Sequence, residues 1–227
     1  NQYGLLDDRL PVASYKLTFK ASNGKGVYSF CMCPGGYVVN ASSEINRLCI
    51  NGMSYSKRDS GIANSALIVT VNENDYGTNL FDGIKFQRNL EEKAYQLGNG
   101  LIPTETYGDY KDNKRPKTIG KLEPKIKGGY RIADLNELLP DNLNIALKEG
   151  IENFDRKIKG FADKETLLCG IEARTSSPIR IIRNENYESN IEGLYPSGEG
   201  AGYAGGITSA AIDGLKVSEA IMNKFKN

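Results

Sequence analysis

Gly200, Gly202 and Gly205 stand at G-x-G-x-x-G spacing, the arrangement that lets a backbone turn tightly and touch a nucleotide's phosphates. They lie in the segment 193–207, Gly-Leu-Tyr-Pro-Ser-Gly-Glu-Gly-Ala-Gly-Tyr-Ala-Gly-Gly-Ile, where six of the first fourteen residues are glycine. Glycine this dense is costly in chain entropy, and it is tolerated where backbone bends sharply or meets a ligand. The bend leads into an amphipathic helix whose N-terminus can face an anionic or electron-rich group. A self-contained dinucleotide unit needs a second strand and an acidic residue roughly 20 positions on. Here the helix pattern runs on to Asn227, and Glu219 falls inside it. The βαβ unit is therefore not closed within these residues, and the strand–turn–helix is expected to pack beside a sheet supplied from elsewhere. The structural alternative is a tight turn with close strand–helix packing.

Other residues could also do chemistry. Arg174-Thr175-Ser176-Ser177-Pro178 places an arginine and three hydroxyls after a strand-like run, a set suited to a carboxylate, a phosphate or the polar edge of a flavin. A hydroxyl-rich turn serves equally as structure. Cys31 and Cys33 stand at i and i+2, on one face of an expected strand. They read as buried inert thiols or, alternatively, as a redox pair beside a cofactor; both join Arg174 as catalytic candidates. Asn51–Asp59 and Asn64-Ser65 gather hydroxyls, amides and charges before a β-branched run. The chain has no histidine, which excludes a His base or a Ser-His-Asp triad here. The four cysteines lack zinc-finger spacing, and no metal site is expected.

The elements that must position these residues fall into two parts. From Leu10 to Val71 the pattern is that of an antiparallel sheet. Tyr15, Leu17 and Phe19 alternate with lysine and threonine, Asn23-Gly24 and Pro34-Gly35-Gly36 mark turns, and Asn51-Gly52 marks a third hairpin. Ser65–Val71 reads as a buried central strand. Helices are predicted over 82–97 and 136–148, the latter opened at Pro140. Between them, the segment 99–131 reads as a mobile loop. Its part from Asp109 to Arg131 holds eight Lys/Arg against three Asp/Glu, and reads as a solvated connector or as a lid that attracts an anion. Strand-like runs at Thr166–Glu172 and Ile179–Arg183 precede the glycine bend. In the last helix Ile207, Ala211, Leu215, Ile221, Met222 and Phe225 form the apolar stripe, with Asp213, Lys216 and Glu219 elsewhere. The expected fold class is α+β: an antiparallel-sheet module over 1–160, then the closing strands and C-terminal helix of an α/β domain over 161–227.

Composition narrows the partners. The formal net charge is +1, so there is no global nucleic-acid signature, and no apolar run is long enough to span a bilayer. The opening residues carry no charged stretch before an apolar core, so no signal peptide is read there, and the expected setting is reduced and cytoplasmic.

The segments Phe30–Gly36, Asn51–Ser56, Ala63–Ala66, Gly170–Pro178 and Gly193–Gly214, taken in order, resemble the uncharacterised bacterial FAD-dependent dehydrogenases, also called NAD(FAD)-utilising dehydrogenases. The resemblance implies the C-terminal half of such a protein, with residues 1–160 as its substrate or cap domain and 161–227 as the closing part of its FAD-binding domain, and a glutathione-reductase-like α/β parent whose N-terminal half carries the dinucleotide-binding loop. It implies FAD as cofactor, NADH or NADPH as a possible reductant, and hydride transfer between FAD and a substrate or nicotinamide. Tyr195–Glu199 would lie beside the ribityl chain and pyrophosphate, with Gly198 and Glu199 at that edge. Gly200, Ala201, Gly202, Tyr203, Ala204, Gly205, Gly206 and Ile207 would pass near the isoalloxazine, and Arg174, Thr175 and Ser176 would line the substrate side. The expected partners are the missing N-terminal half and a small-molecule substrate, with neither membrane nor nucleic acid. The alternatives from other classes are a non-catalytic flavin- or nucleotide-binding regulatory module and a flavoprotein related to tRNA modification.

Overall fold

The computed structural model describes residues 15–226; the part of the first expected strand before Tyr15 lies outside them. The chain divides into two compact units, one of Asn1–Val71 with Arg88–Glu172, the other of Asn72–Gln87 with Ala173–Asn227.

Unit 1 is mixed α+β. Alternation of apolar and polar residues gives β1 (Leu17–Lys20) and β2 (Gly26–Cys33), joined through Gly24, whose φ of 82° suits the turn. Together with β5 (Asn64–Val69) they form an antiparallel sheet in the order β1-β2-β5. The β-branched run expected at the sheet's centre is thus an edge strand, half-buried along its length; β2 takes the centre. Its Val27 is fully buried. A second sheet pairs β3 (Gly36–Asn40) with β4 (Ile50–Ser54) antiparallel and with β7 (Ile126–Lys127) parallel. Asn51-Gly52, expected as a turn, lies inside β4. In a third sheet β6 (Ile102–Thr106) stands between β8 (Tyr130–Ile132) and β9 (Leu167–Cys169).

The segment 99–131 is accordingly not a loop throughout. It contains β6, the short α3 (Tyr107–Asp112), β7 and β8, and Ile102 and Tyr107 are among the most buried side chains. Its charge hid these elements, because the lysines crowd the irregular stretch from 113 to 125 while the apolar residues are few and central. The predicted helix at 136–148 starts instead at α4 (Asp141–Lys157), with Pro140 as its N-cap and a 3₁₀ turn at Leu135–Glu137 before it. Gly150 in mid-helix lets α4 close onto the first sheet, since a Cβ there would stand 2.5 Å from Val27 Cγ1. Leu17, Val27, Ala146 and Phe154 form one core; Leu48, Ile102, Tyr107 and Ile151 belong to another.

Unit 2 is built differently. It holds α1 (Glu73–Tyr76), closed by a reciprocal Asn72–Asp75 capping box, and the first residues of α2 (Asp82–Gly98), whose remainder belongs to unit 1. A long irregular run then leads to α5 (Ile207–Lys224). Both core clusters lie in unit 1; in unit 2 the buried apolar side chains among the described residues are Pro196, Ala201 and Val217. Two expectations fail here. Ile179–Arg183 is not a strand but irregular backbone, with Ile181 and Ile182 exposed. The face of α5 that turns inward carries Asp213 and Val217, while Ile207, Leu215, Met222 and Phe225 of the expected core stripe are 86%, 67%, 55% and 71% exposed. Among the described residues of unit 2 nothing buries that stripe.

Candidate functional site

Asp213, two turns into α5, ties the helix to the start of the glycine segment. Its Oδ1 accepts from Arg183 Nη2 at 2.6 Å and its Oδ2 from Nη1 at 2.9 Å. Oδ2 also accepts the Gly198 N–H at 2.9 Å. Arg183 Nη1 donates further to the Pro196 carbonyl at 2.7 Å, and the guanidinium lies 3.6 Å from the Tyr203 ring centroid. Both charged side chains are largely buried. The guanidinium, above all by its hydrogen bonds, holds the Asp213 carboxyl down to about 2 against the loss of hydration, and the Gly198 N–H adds to the effect. Sequence reading left this pair unremarked. The available signal was an aspartate amid Ala210, Gly214 and Val217, the small and apolar residues of the inward face.

The middle of the bend is held by a second set of contacts. Gly202 has a φ of +84°, and a Cβ there would stand 2.6 Å from the Ile179 carbonyl oxygen. Arg180 Nε donates to the Gly202 carbonyl at 2.9 Å, the Ile181 N–H to the Ala201 carbonyl at 3.2 Å, and the Tyr203 hydroxyl to the Ile181 carbonyl at 3.0 Å. Glu199 and Gly198 close the turn by accepting from the N–H groups of Gly202 and Tyr203. The glycine at 202 is therefore required by this chain's own backbone.

Gly200 and Gly205 differ. A Cβ at either would meet no heavy atom within 4 Å, and neither has a left-handed φ. Gly206, with extended φ, is the N-cap of α5; no side chain caps the helix and its first turn holds no acidic residue. The Ser209 hydroxyl donates to the Gly206 carbonyl at 2.9 Å rather than accepting from an N–H. The first N–H groups of a helix have no intrahelical acceptor. Here they open beside Gly205, at which an added Cβ meets none of the described residues within 4 Å, with Ile207 exposed next to them. Ala204, half-buried, marks the passage from the pinned half of the bend to the open half.

Arg174, Thr175 and Ser176 lie on the run after β9. Gln87 Nε2 donates to the carbonyls of Ala173 and Ser176 at 3.1 and 3.4 Å. The Ser177 hydroxyl donates to the Ile179 carbonyl at 2.7 Å, the same oxygen that Gly202 approaches. The hydroxyl-rich turn and the bend therefore meet at Ile179. Arg174 and Ser176 are exposed and Thr175 is half-buried.

Cys31 and Cys33 belong to unit 1. The strand register shifts between Phe30 and Cys33, and Cys31 has a φ of 52°. This bulge breaks the alternation that was expected to place both thiols on one strand face. Cys31 is exposed and Cys33 half-buried. Among the described residues no cluster of three or more His, Cys, Asp or Glu could hold a metal, and no helix is long and apolar enough to cross a membrane.

A mixed α+β unit followed by a glycine bend at an uncapped helix start is the arrangement to set beside known proteins. The chain belongs to the family described as FAD-dependent protein, C-terminal domain-like, which it matches over residues 1–175. It is also 51% identical over 232 residues to an uncharacterised protein of Clostridium beijerinckii, covering 99% of this chain and 44% of that protein. The chain thus spans less than half the length of this relative. The family match ends before the glycine bend; the relative's match runs through it.

Proposed function

We propose that this chain is the C-terminal portion of a flavin-dependent oxidoreductase, with the substrate or cap region in unit 1 and the closing part of the FAD-binding domain in unit 2. The observation that carries the reading is the open half of the glycine bend. Gly200 and Gly205 are glycines at which an added Cβ would meet open space, and Gly205 stands next to the N-cap of a helix left without a side-chain cap. Such residues fit a group that approaches the backbone from outside, and membership of an FAD-dependent family supports FAD as that group.

In this reading Gly200, Ala204, Gly205, Gly206 and Ile207 line the flavin through main-chain atoms. Gly198, Glu199, Ala201, Gly202 and Tyr203 fix the bend, and Arg174, Thr175 and Ser176 face the substrate. When bound, FAD supplies reversible hydride acceptance, with NADH or NADPH as a reductant. The residues supply position and electrostatics: the N–H groups at the start of α5 favour an electron-rich edge, and Arg174 attracts an anionic substrate.

The rest of the binding site comes from the remainder of the longer protein, which also covers the outward stripe Ile207, Ala211, Leu215, Met222 and Phe225 of α5. Exposed apolar side chains at helical spacing are the mark of a face built to be covered. This chain alone is therefore expected to purify without flavin, and stoichiometric FAD in it contradicts the division of the site. For the full-length protein the test is anaerobic reduction. Bleaching of the bound flavin by NADH, NADPH or a candidate donor is the expected result; a flavin that no donor reduces places the protein among non-catalytic binding modules instead.

A further inference from the structure

Unit 1 contains a groove of about 480 Å³ between α2, β8 and the 3₁₀ turn. This volume lies in the range of small-molecule sites. Three cations line it: Lys93 from α2, Arg115 from the irregular stretch after α3, and Arg131 from β8. None of the three forms an ion pair with a described carboxylate. Three acids outside the groove are engaged elsewhere: Asp112 pairs with Lys114 at 2.7 Å, Glu123 with Lys125 at 2.7 Å, and Glu165 accepts the Lys121 N–H at 2.7 Å. In a chain of net charge +1 the fold thus leaves three like charges on one concavity. Against the two carboxylates that share the groove, Asp134 and Glu137, they leave an excess of positive charge that favours a small anion.

The rest of the lining narrows the class of anion. Pro116, Ile132 and Leu138 supply apolar walls, and Asp134 and Glu137 stand in the same groove. Two carboxylates repel a second anionic group but accept hydrogen bonds from hydroxyls. Asp134 is fixed by accepting from the Asn136 N–H and Nδ2 through Oδ1 at 3.0 and 3.1 Å. β8 is an edge strand: the Ala133 N–H turns inward to the Thr104 carbonyl at 3.2 Å, so the adjacent Ile132 N–H turns the other way. The groove therefore offers two guanidinium forks and an ammonium for a phosphate, a short apolar wall for the body, and acceptors for hydroxyls.

We propose that this groove binds a small phosphorylated compound bearing hydroxyls, of the size of a nucleoside monophosphate or sugar phosphate. The site belongs to unit 1, and its occupancy does not depend on the flavin reading of unit 2.

Isothermal titration of the full chain with 5′-AMP, adenosine and a single-stranded oligoribonucleotide tests it. AMP is expected to bind at one site with adenosine at least tenfold weaker, because the phosphate carries the interaction. Arg115→Ala and Arg131→Ala, at exposed positions, are each expected to weaken AMP by about tenfold without moving the melting temperature. Lys57→Ala, on a loop away from the groove residues in sequence, should leave binding unchanged. Inorganic phosphate should compete with AMP, and ribose 5-phosphate should displace it as well. Absence of AMP binding overturns the proposal, as does AMP binding that neither arginine substitution alters. An oligoribonucleotide that binds more tightly than AMP, with a steep salt dependence, overturns it in favour of a nucleic-acid surface.

Discussion

Arg183 and Asp213 meet in a bidentate pair, Nη2–Oδ1 2.6 Å and Nη1–Oδ2 2.9 Å apart, and this pair joins the irregular run before the bend to the helix after it. With Pro196, Ala201 and Val217 the buried apolar side chains among unit 2's described residues, polar contacts carry much of its order. Breaking a largely buried pair by removing one partner costs about 3 kcal/mol. Asp213→Ala is expected to accelerate hydrogen exchange at the Gly198 and Tyr203 amides far more than in unit 1. Equal protection in wild type and variant would show that the pair does not hold the bend.

The same carboxylate sets an acid limit. Its folded pKa, about 2, lies below the ordinary aspartate value near 3.9. The stabilisation from this group is complete above the unfolded pKa and is lost as pH falls through the folded one. Exchange protection in the bend should therefore fall between about pH 4 and pH 2, and Asp213→Asn should remove that step. A bend equally protected at both ends of this window contradicts the assignment.

Glu105 gives a pH dependence of opposite sign in unit 1. It is fully buried on β6; Oε1 accepts the Leu135 N–H at 2.6 Å and Oε2 has no hydrogen-bond partner. Burial pushes its carboxyl up to about 8, with Asp134 and Asp109 adding to the rise and the Leu135 N–H opposing it. Between the unfolded value near 4.3 and this folded one, the native state holds a proton that the unfolded chain has lost, so stability falls as pH rises. Glu105→Gln should flatten the slope and stabilise the chain at pH 8 by on the order of 2 kcal/mol. Denaturant titrations at pH 5 and pH 8 give the comparison, and an unchanged slope would exclude a buried neutral Glu105.

The glycines of the bend separate into two kinds by substitution. Gly202→Ala forces a methyl against the Ile179 carbonyl at a left-handed φ, and should destabilise this chain by about 1–3 kcal/mol. Gly205→Ala meets open space and should change the melting free energy by less than about 0.5 kcal/mol. Similar losses for both variants would mean that Gly205 also serves the chain's own packing.

What could be read in advance followed local chemistry. Turns at Asn23-Gly24 and at Pro34-Gly35, the helix over 82–98 and the start of α5 follow from residue type and period. The errors arose where tertiary partners decide. Ser65–Val71 looked central from its β-branched residues, yet β2 has the two neighbours. The strand at Ile179–Arg183 did not form, because the bend's side chains and carbonyls take up its backbone groups in place of a ladder. Periodicity set Asp213 off the apolar stripe of α5 and said nothing of its partner, because its arginine lies 30 residues away and leaves no local trace. The open glycines were legible as candidates, but spacing alone could not separate Gly202, which the chain requires for itself, from Gly200 and Gly205.

The central claim is most directly tested by the flavin content of the full-length protein, purified as wild type and as Gly205→Val. Stoichiometric FAD in the wild type, lost or strongly reduced in the variant while this chain's own melting temperature is unchanged by the substitution, is the predicted result. Wild-type flavin content in the variant, or a full-length protein that binds no flavin, contradicts it.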